Sequence, residues 1–207
     1  WLHQKQVTDF AQMTTLSLQL RQKLNEKFCI NRLNIARKLA SSADDTVKYL
    51  YELPDGNFVE TVLMDYHHGK SLCISTQVGC RMGCQFCAST IAGYVRDLQP
   101  SELLLQIYET QRDAGCRIDS IVLMGIGEPL DNFDNVVQFF RLLSHPDGMN
   151  MSLRHAALST CGLVPQIRQL ADLRLGVTLS VSLHSPENQR RSEIMPVNRR
   201  YPVEELL

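Results

Sequence analysis

From residue 71 to residue 184 the chain alternates short apolar runs with longer amphipathic ones, and no other feature restricts its fold as strongly. SLCISTQ, IDSIVLMG, HAALST and GVTLSVSLH read as strands, while SELLLQIYETQRDAG, NFDNVVQFFRLL and VPQIRQLADLRL between them read as helices. Ser101 is the expected N-cap of the first helix, with Pro100 just before it. Strands separated by a whole helix do not pair as hairpins; the crossover makes them run parallel, with the helices packed over the sheet. The apolar stretch IVLM at 121–124 agrees, because parallel strands are covered on both faces. With 207 residues and 44% hydrophobic composition, the chain has enough apolar material for the core such a fold needs.

Upstream the pattern changes. Leu16, Leu20 and Leu24 recur at helical spacing within 9–40, with Thr14 or Thr15 as N-cap, so residues 1–45 are expected to form a helical accessory segment. TVKYLYEL and NFVETVLM are β-rich runs joined by PDGN, a hairpin signal. The expected architecture is α/β, with residues 46–207 holding the hairpin and a parallel β/α unit. The chain begins without Met and ends in YPVEELL, which reads as the first turn of a further helix, so a longer parent protein is expected.

Ligands of parallel β/α folds gather at the C-terminal ends of the strands. QVGCRMGCQFC follows the first strand, GIGEP the second, STCG ends the third and SLH the fourth, so four polar or glycine-rich signals are expected on one rim. Cys80, Cys84 and Cys87 are spaced C-x3-C-x2-C in the first of these loops. Three thiolates around one ion or cluster leave a coordination position open for a substrate or cosubstrate. A zinc site recruiting Cys73 is the competing reading, although Cys73 lies within the preceding strand pattern and zinc hooks more often come as two short pairs. Seven cysteines with no signal peptide argue against a disulfide framework. In GIGEP, glycine lets the backbone approach a ligand and Glu128 can accept hydrogen bonds from an ammonium group.

The net charge of −1 conceals a basic start (Arg21, Lys23, Lys27, Arg32, Arg37, Lys38), an acidic middle and a basic late segment (Arg190, Arg191, Arg199, Arg200). Both basic segments are expected to face a polyanion, the bland alternative being solvated surface. No apolar run is long enough for a membrane span, so no membrane partner is expected and the cytoplasm is the default location.

Together, CISTQVGCRMGCQFCAST, MGIGEPLDNFDNV, LSTCGLVPQI and SLHSPENQRRSEIMPVNR resemble the radical S-adenosylmethionine (SAM) adenine methyltransferases of the RlmN and Cfr type. The resemblance implies a partial β/α barrel and methylation of carbon 2 of an adenosine in 23S rRNA and tRNA, with the Cfr-type carbon-8 reaction as the runner-up. It implies that Cys80, Cys84 and Cys87 hold a 4Fe-4S cluster whose open iron binds SAM. Gly127, Glu128, Ser159, Ser182, Leu183 and His184 match SAM contacts of the family. Glu60 matches a proton acceptor, and Cys73 matches a thiol that resolves a covalent protein–RNA adduct. In the family a methyl group moves first to a cysteine near the C-terminus, beyond where this chain stops, and a 5'-deoxyadenosyl radical then activates it. Cys29, Cys116 and Cys161 do not match that cysteine and are expected to be small buried residues. The implied partners are 23S rRNA, tRNA and an electron donor such as flavodoxin or ferredoxin, with the protein a monomer.

Overall fold

A computed structural model describes residues 1–67 and 69–207. A 3-10 turn at Phe10–Gln12 leads to α1 (Leu18–Lys27), whose N-cap is Ser17, accepting the Leu20 N–H at 3.3 Å. The helical periodicity does not continue to residue 40. The chain leaves the helix at Phe28, and Asn34–Ala40 forms β1, antiparallel to β2 (Val47–Glu52). The reason is tertiary: a full row of sheet hydrogen bonds outweighs the few tenths of a kcal/mol per residue by which Ala, Arg, Lys and Leu favour helix, on the order given by host–guest scales. The expected boundary at residue 45 therefore falls inside a sheet. β2 and β3 (Phe58–Tyr66) form the expected hairpin.

β3 pairs antiparallel with β4 (Gly69–Cys73), after which the short β5 (Gln77–Gly79) and β6 (Tyr94–Asp97) make a separate two-stranded ribbon. Next come α2 (Pro100–Ala114), β7 (Ser120–Leu123), α3 (Phe133–Ser144), β8 (Ala156–Thr160), α4 (Val164–Asp172) and β9 (Thr178–Val181). The main sheet has the order β1-β2-β3-β4-β7-β8-β9. β4, β7, β8 and β9 are mutually parallel, joined by the three expected crossover helices. α5 (Asn188–Ile194) and α6 (Val203–Leu206) complete the chain, the latter in the segment read as a starting helix.

The cap of α2 is Gln99, not Ser101. Pro100 occupies the first turn, the residue before proline stays extended, and the Glu102 carboxylate accepts the Gln99 N–H at 2.8 Å.

Alternation along the strands separates two faces. Ile121, Leu123 and Leu158 are buried with Leu103, Ile107, Phe139 and Phe140 of the helices, whereas Ser120, Val122 and Ser159 lie half-buried on the opposite, open face. Gln106 fixes α2 to the sheet. Its Oε1 accepts from Thr61 Oγ1 at 2.8 Å and from the Ser75 N–H at 2.9 Å, and its Nε2 donates to the Ser75 carbonyl at 3.0 Å.

Candidate functional site

The cysteine loop leaves β5 and returns through β6. At its neck Gly79 has φ +73°, and a Cβ there would stand 1.8 Å from the Gly93 carbonyl oxygen, so the two limbs close only on glycine. The loop is tied downstream by the Gln85 N–H, which donates to the Ile194 carbonyl at 2.9 Å. Cys80, Cys84 and Cys87 all line one cleft of about 200 Å³, together with Met82 and Phe86. Among the described residues, no three or more His, Cys, Asp or Glu side chains are grouped as a single-ion site. Burial raises the Cys80 thiol, and burial with Cys80 and Cys87 nearby pushes Cys84 up to about 11, so without a metal these are neutral thiols at pH 7.

The loop after β7 forms the next wall. A Cβ on Gly125 would meet the Ile74 carbonyl oxygen at 2.7 Å, and one on Gly127, at φ +103°, would meet Gln77 Cβ at 2.6 Å. Gln77 is the hub of this wall: Oε1 accepts the Glu128 N–H at 2.8 Å while Nε2 donates to Asp97 and Asp131, each at 2.8 Å. Asn132 donates to the Thr76 and Leu98 carbonyls, both at 2.8 Å. Glu128 is 4% exposed, and its oxygens accept the N–H groups of Leu130 at 3.1 Å and Cys161 at 2.8 Å. Burial raises its pKa against the opposing pull of these donors. The carboxylate expected to face an ammonium thus also brackets the ends of β7 and β8.

The third and fourth walls are the ends of β8 and β9. Ser159 Oγ and Ser182 Oγ lie 3.1 Å apart across the parallel pair. His184 sits at φ +57°, a strained region for a residue with a Cβ, and its ring lies 4.3 Å from that of Phe86. Ser159, Ser182, His184, Gly127 and Glu128 line the same cleft as the three cysteines. Leu183 does not; its carbonyl accepts from Arg191 Nε at 3.0 Å, so its place at the rim is held through backbone.

Two expected residues stand apart from this cleft. Cys73 lies in β4 opposite Val62, two residues from Glu60, so both belong to the open face of the sheet. Burial raises the Cys73 thiol. Glu60 is half-exposed and paired with Lys48 at 2.7 Å.

The remaining cysteines and basic residues divide. Cys161 is buried against Cys84 and Met195, as expected, but Cys29 is exposed, and Cys116 is half-buried at the margin of the main core. Lys23, Lys27, Arg37, Arg190, Arg199 and Arg200 are exposed. Arg32 pairs with Glu109 at 3.0 Å and Lys38 with Asp113 at 2.5 Å. Arg191 is fully buried and is not a surface contact, because the helix α5, read from sequence as a loop, turns it under the rim. Gln77 and Asn132 tie the framework together and were missed by sequence reading, whereas Arg191 was read as a surface cation. Gln77 was visible only as the polar residue shared by the strand run SLCISTQ and the loop QVGCRMGCQFC.

The Radical SAM superfamily model matches residues 74–207, and the Ribosomal RNA large subunit methyltransferase N-terminal domain model matches residues 1–30. Proteins described as "Probable dual-specificity RNA methyltransferase RlmN" from Lachnoclostridium phytofermentans and Lachnospira eligens are each 51% identical over all 207 residues, which span 58% and 59% of their lengths. The one from Clostridioides difficile is 48% identical, with 60% of its length covered. The solved structure of a radical SAM methyltransferase from Sphaerobacter thermophilus superposes with a TM-score of 0.92 at 38% identity, covering 100% of this chain and 61% of that one. The chain thus spans about three-fifths of the length of the curated relatives it matches.

Proposed function

Because the chain belongs to the radical SAM superfamily, we propose that it is the cluster- and SAM-binding part of an RlmN-type methyltransferase that modifies carbon 2 of an adenosine in 23S rRNA and tRNA. The observation that carries the reading is the convergence of Cys80, Cys84 and Cys87 with Gly127, Glu128, Ser159, Ser182 and His184 on one cleft at the ends of the parallel strands. The donor set fits a 4Fe-4S cluster. It offers three thiols on one loop, an apolar cover from Met82 and Phe86, and a wall of glycine where a larger residue would collide with the framework.

When bound, the cluster supplies the electron that cleaves SAM reductively. The chain's own residues do the rest of the binding and positioning. Cys80, Cys84 and Cys87 would hold the cluster as thiolates. Glu128 directs acceptor capacity toward the ammonium, while Ser159 and Ser182 offer hydroxyls to the polar part of the ligand. The rings of Phe86 and His184 meet at a tilt at the mouth and limit water. Cys73 is kept off the cluster wall, so its thiolate can attack the sulfur of a thioether joining a second cysteine to the adenosine: the S–S bond forms as the S–C bond breaks, and the electron pair leaves with the carbon, which takes up a proton. Glu60, on the same face, is the proton acceptor once it parts from Lys48. The exposed cations of α1, β1 and the α5 region give salt-dependent contacts to RNA phosphates.

Anaerobic reconstitution with iron and sulfide tests the first part. The chain is expected to gain the visible charge-transfer absorbance of an iron–sulfur cluster, and zinc by metal analysis in place of it would overturn the reading. For the full-length protein, digested rRNA and tRNA are expected to yield 2-methyladenosine; 8-methyladenosine would move it to the Cfr branch.

A further inference from the structure

Arg191 is an arginine in an unusual setting. It is 0% exposed, and among the described residues it forms no ion pair with a carboxylate. Burying an unpaired cation costs several kcal/mol, on the order found for buried charges without a partner. Its partners are neutral acceptors: Nη2 donates to the Cys161 carbonyl at 2.6 Å and, more weakly, to that of Ser182 at 3.4 Å. Nε donates to the Leu183 carbonyl at 3.0 Å and Nη1 to Asn198 Oδ1 at 2.7 Å. Asn198 is itself locked, its Nδ2 donating to Ser192 Oγ at 2.8 Å and to the Asn188 carbonyl at 3.1 Å.

The carbonyls it gathers are not scattered. Cys161 directly follows β8, and Ser182 and Leu183 directly follow β9, where the ladder hydrogen bonds of the parallel pair run out. These are the two strand ends that carry Ser159, Ser182 and His184 into the cleft. A planar fork with donors on two edges can hold three carbonyls at fixed separation, which the single ammonium of lysine cannot do. Glycine leaves room for the fork beside the β8 end. Gly162, at φ +110°, would bring a Cβ to 3.3 Å from Nη2.

We propose that Arg191 is the positioning residue of the SAM-facing rim, its guanidinium clasping the β8 and β9 ends so that Ser159, Ser182 and His184 are presented at one spacing. The proposal rests on the radical SAM reading for what the rim binds, but the clasp itself is a property of the chain.

Two measurements separate these. In the metal-free chain, Arg191→Lys and Arg191→Gln are expected to speed amide hydrogen exchange of residues 159–163 and 182–185 together, by about tenfold or more for loss of one or two charge-assisted bonds, with α2 and α3 unchanged. Unchanged exchange in both segments overturns the clasp, whatever the chain binds. In reconstituted protein, Arg191→Lys is expected to keep the parent's iron content yet weaken SAM binding by about 10- to 100-fold, the range seen when groups behind a ligand shell are removed. The SAM-induced change in the electron paramagnetic resonance spectrum of the reduced cluster should alter with it. SAM affinity within twofold of the parent overturns the positioning role. A parent chain that takes up no iron overturns the radical SAM reading and leaves the exchange comparison standing. Should both Arg191 variants fail to fold, Asn198→Ala removes the Nη1 acceptor together with the Nδ2 hydrogen bonds to Asn188 and Ser192, keeps the guanidinium itself, and is expected to raise exchange in the same two segments; no rise there overturns the proposal.

Discussion

The antiparallel strands β1–β3 and the parallel strands β4, β7, β8 and β9 belong to one sheet but organise polar groups in opposite ways. In the antiparallel part, successive strand ends fall on opposite edges, and its polar side chains are used for fastening. Arg96 joins Asp55 of the hairpin turn at 2.6 Å to Glu102 of α2 at 2.7 Å. The Tyr51 hydroxyl meets Thr110 Oγ1 at 2.8 Å; since Thr110 donates its own proton to the Gln106 carbonyl, Tyr51 is the donor. In the parallel part every strand points the same way, so four loops arrive on one rim and a cleft forms there. Strand direction, more than residue type, decides where chemistry can accumulate.

That contrast can be broken experimentally. The largest effect is expected at the rim: alanine at Cys80, Cys84 or Cys87 should abolish cluster uptake, whereas Cys73→Ala, at the last residue of β4 and outside the cleft lining, should leave iron content intact. Loss of the cluster from the Cys73 variant would erase the distinction between a thiol on the sheet and the thiols of the loop. Next, Phe139→Ala, which empties the core between α3 and the parallel strands, should lower unfolding free energy in urea by about 3–5 kcal/mol.

The metal-free rim should also respond to pH. The folded-state pKa of Cys84 is raised from 9.0 to about 11, so its contribution is fully present below pH 9 and is lost as pH climbs toward 11, by up to about 2–3 kcal/mol. Melting temperature of the metal-free chain should fall across that window, and a flat profile would show that the cysteine wall is open to water. The smallest effects belong to the antiparallel part. Tyr51→Phe should cost about 1 kcal/mol for one buried hydrogen bond, and Lys48→Ala, at the exposed pair with Glu60, well under about 1 kcal/mol.

The parallel unit was legible because each strand and helix carries its own period and each crossover fixes a direction. The cleft was legible with it, since Cys80, Glu128, Ser159 and Ser182 lie at or just after strand ends and the fold alone brings strand ends together. β1 was not, because every one of its residues is exposed and no apolar alternation marks it. β5 and β6, at three and four residues, are too short for any period to register. Arg191 was misplaced for a related reason. A run of charges reads as surface, and only the packing of α5 beneath the β8 and β9 ends puts one of them inside.

The opposite edge of the parallel strands, where crossover helices hand the chain back to the sheet, carries none of the cleft residues. Between α4 and β9, Gly176 has φ +79° and nothing within 4 Å of where a side chain would begin. That loop is therefore a place to insert a fluorophore or a short affinity sequence, because added residues there project into solvent and stay on the far side of the sheet from the cluster loop. A probe so placed would report on the chain while leaving the rim to its ligands.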